Sequence, residues 1–299
     1  MNKIAAVILN YNSSADCAKC VASLKKQQDV ELGIIIVDNC SDPDDRAAVE
    51  ELCRRENCVF IANTENRGYN AGNNVGLRYA AENGFEYALI ANPDMEFPDV
   101  EFVKKLQDKM EKYPEVAVVA GDILHADGWH QNPMFADAGA WQECVGAVLF
   151  PFEVLRNSLG IKQQPSFIGN HSESGYCAKV SGCCFLICMS FLQSIDFFDE
   201  QVFLYCEEPI LAKQVEKSVR KMYYCADAKA FHNHIATQKG STFRRMRIFF
   251  KSRNYFLTRY GAFRRTKRVL LIFKYWQFGV WCILFGIKNL FDIKKQNNE

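Results

Sequence analysis

Short apolar segments alternate with helical segments in the first third of the chain, and this pattern constrains the fold most. Ile4–Leu9, Ile34–Val37 and Tyr87–Ala91 are apolar runs, and Val59–Ala62 is a weaker one. Unbroken apolar runs of this length predict strands buried on both faces, as in a parallel sheet. Strands that alternate with helices predict an α/β fold with a mostly parallel central sheet.

Polar clusters follow three of these predicted strands, and they are Asn10–Asn12, Asp38–Asp42 and Asn92–Asp94. Ligands of such sheets bind beyond the carboxyl ends of the strands. The clusters are therefore the first candidates for a binding site.

The rest of the chain is less regular. Helices are predicted from Ser14 to about Gln28 and over Gly68–Asn83, Val100–Tyr113 and Pro209–Lys217. Strands are predicted over Val116–Gly121, Lys179–Cys188 and Lys221–Ala226. Residues 123–176 are rich in Gly, Pro, His and aromatic residues with weak periodicity, and this predicts long loops that shape a pocket.

The C-terminal fifth differs in charge from the remainder. Residues 243–299 contain 14 Lys and Arg but two Asp and Glu, whereas the whole chain has a net charge of +1. The segment is predicted to be helical from Thr242. Val269–Ile287 is nearly all apolar but contains Lys274, and positive charges flank both of its ends, which argues against a membrane span. We expect a helix on an anionic membrane surface, with a self-association or core helix and a true span as alternatives. No nucleic-acid-binding module accompanies the charge.

The cysteines indicate a reducing compartment. The chain has 13 of them without framework spacing, and the apolar run after Lys3 is too short for a signal peptide. We expect a cytoplasmic protein, peripheral at the inner face of the membrane. Cys17 and Cys20 form a lone C-x-x-C, which is interpreted as a pair of buried thiols because structural zinc needs four ligands.

Three residues at strand or helix ends have side chains that could bind a ligand or a metal. Asp38 can accept hydrogen bonds from a base or ribose, or it can cap a helix. Arg67 precedes a helix N-terminus and could clamp a diphosphate, or it could simply be exposed. Asp94, with Asn92 as a weaker partner, could bind a hard divalent cation, or it could belong to a Pro-Asp turn.

Two further positions could supply proton transfer and a metal ligand. Glu207 and Glu208 lie at a helix start, where they could compensate the helix dipole, or where one could be a general base whose neighbour raises its pKa. His232 could be structural, or it could complete a metal shell with Asp94.

The order of these motifs is more specific than any one of them. The segments VILNYNS, VDNCSD, NRGYNAGNNVG, LIANPD, VSGCCFLI, FLYCEE and FHNH resemble the inverting family 2 glycosyltransferases of the GT-A fold, most closely the rhamnosyltransferase-like branch. The resemblance spans roughly residues 3–242. It implies a three-layer α/β sandwich and a nucleotide-diphosphate sugar as donor.

The resemblance also implies residue roles. Asp38 would contact the nucleotide base, Arg67 would lie near the diphosphate, and Asp94 with His232 would bind Mg²⁺ or Mn²⁺. Glu208 would be the catalytic base, with Glu207 before it. The remaining positions that we assign to the nucleotide-sugar site are Asn10, Asn12, Asn73 and Asn92, and those assigned to the acceptor and sugar pocket are Ser181, Gly182 and Cys183.

The sequence departs from the family pattern near the base. Glu208 replaces an Asp, Pro209-Ile210 replaces Ile/Val-Asp, and Gln214 stands where Arg is common. These departures keep a non-catalytic nucleotide-sugar-binding or scaffold protein as an alternative. A sugar-1-phosphate nucleotidyltransferase is the third reading, but it needs a Gly-rich loop after the first strand, and Asn10–Ser14 has no glycine.

We therefore expect a GT-A catalytic domain over residues 1–242 and a basic, aromatic helical extension over residues 243–299. Within the catalytic domain, residues 1–98 are expected to form the nucleotide-sugar half and residues 99–242 the acceptor half. The expected activity is metal-assisted, inverting transfer of a hexose, with rhamnose as one candidate, to a hydroxyl of a glycan or lipid-linked oligosaccharide. Such transfer would serve cell wall, capsule or lipopolysaccharide biogenesis.

Overall fold

The computed structural model describes residues 3–158, 169–233, 242–261, 263, 274–283 and 286. The strands are β1 Lys3–Asn10, β2 Glu31–Asp38, β3 Val59–Ala62, β4 Tyr87–Ala91, β5 Met95–Glu96, β6 Val116–His125, β7 Gly175–Cys177, β8 Cys184–Cys188 and β9 Lys221–His232. The helices are α1 Ser14–Leu24, α2 Pro43–Glu56, α3 Tyr69–Glu82, α4 Phe102–Lys112, α5 Ala140–Ser158, α6 Met189–Ser194, α7 Glu207–Lys217, α8 Thr242–Arg259 and α9 274–283.

The strands form one sheet in the order β3-β2-β1-β4-β8-β6-β9-β5, with β7 also paired to β9. Parallel pairing joins β3, β2, β1 and β4, and it also joins β6 and β9. Strand β8 runs antiparallel between β4 and β6. Parallel pairing covers more of the sheet than antiparallel pairing, so the predicted α/β fold with a mostly parallel sheet is confirmed.

The sheet is buried on both faces. Ile4, Ala6 and Ile8 of β1 face a core formed with α1, α2 and α4. Ala5 and Val7 face a second core formed with α3, α6 and α7. Alternate residues of one strand thus enter opposite cores, which explains why the strand is apolar without interruption. Two helical layers enclose the sheet, as expected for a three-layer sandwich.

Glycines bring α3 close to the sheet. A Cβ atom on Gly72 would lie 2.5 Å from Leu9 Cδ1, and one on Gly76 would lie 2.7 Å from Val7 Cγ1. A side chain at either position would overlap the sheet. The four-residue glycine spacing of this segment is therefore a packing feature, as predicted.

Residues 123–176 were predicted to be loops. Among the described residues this is confirmed for 126–139 and 169–174, and it is wrong for the rest. Strand β6 extends to His125, β7 lies within the segment, and α5 is a helix of 19 residues. Residues 159–168 lie outside the described residues. The periodicity of α5 is hard to detect because Gly146 and Pro151 interrupt it. In addition, five of its large apolar side chains are exposed, and these are Trp141, Val145, Val148, Leu149 and Phe152.

Other elements also differ from the prediction. Strand β8 begins at Cys184 rather than Lys179, so Ser181 and Gly182 precede the strand. Strand β9 continues to His232, which ends the strand instead of following it. The prediction omitted α2, α6, β5 and β7. Cys17 and Cys20 are buried free thiols, as expected.

The chain divides into two compact units. The first contains Met1–Ala136 and Phe167–Ser241, and it holds the sheet; the second contains Asp137–Ser166 and Thr242–Glu299. The predicted helix after Thr242 is present as α8, and of the apolar segment Val269–Ile287 only 274–283 and 286 are described. Among the described residues, no helix combines the length and the apolarity that a membrane crossing requires.

Candidate active site

The first polar cluster lies where β1 and β2 end side by side. Asn10 and Asp38 are register partners, and both are fully buried. Asn10 Nδ2 lies 3.0 Å from Asp38 Oδ1 and 2.8 Å from Asp45 Oδ2. The backbone N–H of Ser41 donates to Asp38 Oδ2 at 3.2 Å. One amide thus holds two carboxylates at the carboxyl edge of the sheet.

Asp45 was not predicted as a site residue. Burial acts to raise the pKa of its carboxyl group, but hydrogen bonds from Asn10 and Ser14 outweigh burial and keep that pKa below its usual value. A signal was present, because Asp42-Pro43 marks a helix start and acidic residues are common in a first turn.

Tyr11, Asn12, Cys40 and Asp42 are exposed at this edge. The Asn12 backbone N–H donates to Ser41 Oγ at 3.0 Å, and its side-chain Oδ1 accepts from the Asp42 N–H at 2.8 Å. Asp38 lies beneath them and is inaccessible. A nucleotide approaching this edge would meet Tyr11 and Asn12 first, and contact between Asp38 and a base stays a prediction.

The turn before α3 is held against the loop that precedes the glutamates. Gly68 has φ +101°, and a Cβ there would lie 2.2 Å from the carbonyl oxygen of Phe203. The next residue, Tyr69, donates its backbone N–H to that same oxygen at 2.9 Å. Only glycine fits this position. Arg67 itself is 61% exposed in its side chain and pairs with Glu200 at 3.2 Å.

Buried asparagines of α3 hold the chain between α6 and α7. Asn70 Nδ2 donates to the Asp199 carbonyl at 2.7 Å, and Asn74 Nδ2 donates to the Phe198 carbonyl at 2.9 Å. Asn73, which was predicted to bind nucleotide sugar, donates to the Tyr69 carbonyl of its own helix. Its buried Oδ1 has no hydrogen-bond partner within the described ranges.

Tyr69 connects several motifs, and its role was not predicted. Its hydroxyl donates to the Gly182 carbonyl at 2.6 Å and lies 3.4 Å from Asn92 Oδ1. Burial, followed by the negative charge of Glu207, raises the pKa of this hydroxyl well above its usual value. The side chain therefore stays a neutral donor that joins the N-P-D turn to the segment before β8. Its position directly after Gly68 was the available sequence signal.

Asp94 and His232 meet although they are far apart in the chain. His232 Nε2 lies 3.1 Å from Asp94 Oδ1. The other ring nitrogen, Nδ1, lies 3.0 Å from Gln131 Nε2 and 3.2 Å from Gln131 Oε1. Burial opposes the charged imidazolium, but hydrogen bonds with Asp94 and Cys183 outweigh it and raise the pKa of His232 to about 10. Gln131 lies in the segment predicted as loop, and the sequence carried no signal for it.

The donor set of Asp94 and His232 fits a divalent cation in part. A carboxylate oxygen and an imidazole nitrogen are two suitable ligands. The Gln131 amide can face His232 Nδ1 with either its donor or its acceptor. Its Oε1 can therefore accept from an Nδ1–H, and this tautomer leaves a lone pair on Nε2 that could bind a metal. Among the described residues, no group of three or more His, Cys, Asp or Glu side chains could hold a metal ion. Phosphate oxygens of a ligand would have to complete the shell.

The Ser181–Cys183 segment lies between this pair and the glutamates. On one side, Cys183 Sγ lies 3.4 Å from Gln131 Oε1, and it also contacts His232. On the other side, the Gly182 N–H points to Glu208 Oε1 at 3.4 Å. A Cβ on Gly182 would lie equally close to that oxygen. The segment thus borders both groups of charged side chains.

The two glutamates begin α7 after a strained turn. Tyr205 and Cys206 both have left-handed backbone conformations, with φ of 71° and 68°. Such conformations cost about 1–3 kcal/mol each and concentrate at functional sites. Burial and the neighbouring charge of Glu208 raise the pKa of Glu207 to about 8. Its Oε1 is buried with no hydrogen-bond partner among the residues that the structure describes.

A small cavity lies beside these carboxylates. Its volume is about 10 Å³, and Tyr69, Gly182, Glu207 and Glu208 are among its lining residues. That volume is close to the space of one water molecule. An acid of raised pKa next to an ionisable partner is a typical arrangement for proton transfer.

The comparison with known families agrees with these features. The sequence model of the family described as Glycosyl transferase family 2 matches residues 5–195, which is more than half of the chain. The chain belongs to glycosyl transferase family 2. The family assignment made from the ordered motifs is thus confirmed.

A curated relative of this glycosyltransferase is a hexosyltransferase. The chain is 22% identical over 239 residues to the low-salt glycan biosynthesis hexosyltransferase Agl10 of Haloferax volcanii. The match covers 80% of this chain and 69% of that protein.

Solved glycosyltransferase structures share the fold. GalNAc-T7, crystallised with UDP, GalNAc and Mn²⁺, gives a TM-score of 0.61 at 12% identity over 86% of this chain. The chain spans about half of that protein, namely 48%. The structure of S. aureus TarS 1-349 in complex with UDP gives a TM-score of 0.54 at 14% identity. The match covers 86% of this chain and 72% of that one. At such identities the likeness establishes the fold alone.

The predicted site residues of this glycosyltransferase fall into three groups. Asp94 contacts His232, and Glu208 contacts Gly182, with the Ser181–Cys183 segment between the two pairs. Asn10, Asn12 and Asp38 form the separate cluster at the edge of β1 and β2. Arg67 is exposed and ion-paired, and Asn73 bonds within α3.

Proposed function

We propose that the protein is a metal-dependent, inverting hexosyltransferase that uses a nucleotide-diphosphate sugar. One observation carries the proposal. The Ser181–Cys183 segment borders the Asp94–His232 pair on one side and Glu208 on the other. A donor diphosphate at the pair would therefore present its sugar near a carboxylate able to accept a proton.

The nucleotide would lie over the carboxyl ends of β1 and β2. Asn12, which is exposed, would contact the base or ribose. Asp38 is fully buried with Asn10, so Tyr11 and Asn12 would have to move aside before Asp38 reaches the base. Arg67 would release Glu200 to reach the diphosphate. Asn73 and Asn92 complete the proposed donor site. The backbone N–H of Asn92 donates to the Cys183 carbonyl at 2.8 Å, which keeps Asn92 next to the Ser181–Cys183 segment.

Asp94 and His232 would hold Mg²⁺ or Mn²⁺ together with the diphosphate. When bound, the cation would neutralise charge on the departing nucleoside diphosphate. The protein's part is to aim the Asp94 carboxylate and to keep His232 oriented through Gln131. The solved relative that contains both UDP and Mn²⁺ supports this proposal.

Glu208 would act as general base. Its carboxylate would take the proton of an acceptor hydroxyl while the hydroxyl oxygen forms a bond to the anomeric carbon. The bond between that carbon and the diphosphate oxygen breaks, and its electron pair leaves with the diphosphate. Because the carboxylate acts only as a base and no enzyme nucleophile bonds to the sugar, the reaction is a single displacement. A single displacement inverts the configuration at the anomeric carbon.

The acceptor would be a hydroxyl of a glycan or of a lipid-linked oligosaccharide. A relative named for glycan biosynthesis supports a glycan acceptor. We place the enzyme at the cytoplasmic face of the membrane, as a peripheral protein in cell wall, capsule or lipopolysaccharide biosynthesis. The motifs of the rhamnosyltransferase-like branch make rhamnose the first donor sugar to test.

A thermal-shift panel tests the proposal. UDP, GDP and TDP are added with and without Mg²⁺ or Mn²⁺, and the matching monophosphates serve as ligand controls. One diphosphate should raise Tm by mass action, and the cation should increase the shift. In the Asp94→Asn variant the cation should no longer increase the shift in Tm, but the shift caused by the diphosphate alone should remain. If no diphosphate changes Tm, either with or without the cation, the proposal is contradicted.

A further inference from the structure

The helix α5 has an exposed apolar face that no catalytic role uses. Trp141 is 78% exposed and Phe152 is 68% exposed, and Val145, Val148 and Leu149 are also exposed. At about 100° per residue, these five positions fall within an arc of about 100°. We call them the outer face of α5. Water-exposed apolar side chains rarely align in this way on a soluble surface.

The opposite side of α5 is packed within its own unit. Glu143 is buried, and it pairs with Arg253 of α8 and with Lys274 of α9 at 3.2 Å. Phe250 of α8 and Phe278 of α9 contact each other with ring centroids 5.4 Å apart. Through Glu143 the helix is therefore held to α8 and α9, and the five residues of the outer face lie on the side away from Glu143.

The same unit is rich in exposed cations and aromatic side chains. Arg244, Arg245, Arg247 and Lys251 are exposed on α8. Tyr275 and Trp276 are exposed on α9. Aromatic residues and basic residues together are typical of elements that lie in a lipid headgroup layer.

We propose that the outer face of α5 is a docking surface for an anionic lipid bilayer. The helix would lie in the plane of the interface and insert its five apolar side chains at the boundary of headgroups and acyl chains. The cations of α8 would draw the unit to anionic lipid. This assignment deepens the peripheral location proposed above, and it does not depend on the chemistry at Glu208.

Charge favours lipid over a second copy of the chain as the occupant. Residues 243–299 carry 14 Lys and Arg against two Asp and Glu. Two copies that met through this unit would bring like charges together, which opposes association. An anionic bilayer would be attracted by the same charges.

Vesicle co-sedimentation of the full chain tests the docking surface. The vesicles are phosphatidylcholine alone or phosphatidylcholine with phosphatidylglycerol. The protein should sediment with the anionic vesicles only, and added salt should weaken its binding. Val148→Asp should lower the partition coefficient about tenfold or more, because a charge would enter the apolar boundary.

Val219→Asp is the matched control. Val219 is an exposed valine of the other unit, at 87% against 50% for Val148, and its φ of +55° suits Asp better than a branched side chain. This variant should bind vesicles as the unchanged protein does. The rise in Tm on adding a nucleotide diphosphate reports donor binding alone. If this rise persists in Val148→Asp while vesicle binding is lost, the docking surface is tested separately from the proposed transferase function.

A second measurement guards against misfolding. Lipids with brominated acyl chains should quench tryptophan emission of the unchanged protein, and Trp141→Phe should lose much of that quenching. Three results would overturn the proposal: no sedimentation with anionic vesicles, equal binding of Val148→Asp and Val219→Asp, or a dimer that Val148→Asp dissociates.

Discussion

The two ends of the proposed site are built in opposite ways. At the edge of β1 and β2, Asn10 and Asp38 are fully buried and hydrogen-bonded to one another. At the start of α7, the Glu207 oxygen is buried without a partner among the described residues, and two left-handed residues precede it. Buried polar groups that are fully hydrogen-bonded hold the local structure rigid. A buried polar group without a hydrogen-bond partner, next to strained backbone, is typical of a residue that reacts. The difference suggests one end for holding a ligand and the other for moving a proton.

The largest expected effect is on turnover. Glu208→Gln keeps the size of the side chain but removes its ability to take a proton. We expect kcat to fall about 10²-fold or more, with the Kd for the donor unchanged. Steady-state kinetics with a nucleotide-diphosphate sugar, together with a thermal shift by the diphosphate, measure the two quantities.

Glu216→Gln is the control for this change, because Glu216 is an exposed residue of the same helix. It should leave kcat unchanged. Unchanged turnover in Glu208→Gln would refute the base assignment. Absence of turnover in the unchanged protein, with binding of the diphosphate kept, would favour a protein that binds nucleotide sugars without acting on them.

The second effect is on the pH dependence of stability. The pKa of Glu207 is about 8 in the folded protein and is 4.5 as a reference value, so the folded state binds the proton more tightly. The free energy of unfolding should therefore fall as pH rises from about 5 to about 8. Glu207→Gln should remove about 2 kcal/mol or more of that fall.

Urea unfolding of both proteins at the two pH values measures this difference. Glu216→Gln should keep the slope of the unchanged protein. If Glu207→Gln shows the same slope as the unchanged protein, Glu207 is ionised in the fold, and the contrast between the two ends of the site disappears.

The third effect is on the stability of the hydrogen-bonded cluster at the edge of β1 and β2. Asp38→Asn would turn an amide N–H toward Asn10 Nδ2 or the Ser41 N–H, both of which are donors. We expect a loss of about 1–2 kcal/mol of stability, because a buried donor would lack its acceptor. Asp44→Asn, at an exposed position in the first turn of α2, should cost much less. Equal midpoints in urea for these two variants would show that the buried cluster contributes little.

The smallest effect concerns the link between the motifs. Tyr69→Phe removes the hydroxyl that donates to Gly182 at 2.6 Å. We expect a loss of about 1 kcal/mol in stability and a severalfold lower kcat with little change in KM, because the segment beside Glu208 would be less firmly positioned. Tyr79→Phe, on the same helix, is the control. A change in KM alone would indicate a direct contact with substrate instead.

Much of the first half of the fold could be predicted from the sequence. Strands β3 and β4 have the predicted bounds, because unbroken apolar runs that end in polar residues leave little choice. The glycine spacing of α3 also predicted its close packing on the sheet. The helix α5 could not be predicted, because the five apolar residues of its outer face are exposed and because Gly146 and Pro151 resemble a loop pattern.

The site was only partly predictable for a physical reason. Motif order marked Asp94, Glu208 and His232 because charged residues at strand and helix ends are conspicuous. Gln131 and Tyr69 act through hydrogen bonds to residues far away in the chain. Such contacts depend on the way the sheet is assembled, and no local pattern reports which distant residues Gln131 and Tyr69 meet.

The position of β8 has a consequence for synthesis of the protein. Strand β8 covers the edge of β4, but its residues follow those of β4 by almost one hundred positions. A growing polypeptide on the ribosome would therefore display the bare edge of β4 until Cys188 has emerged. Open edges of this kind invite pairing with other chains. Fragments that stop before β8 should accumulate in inclusion bodies, whereas those that extend past β9 should not.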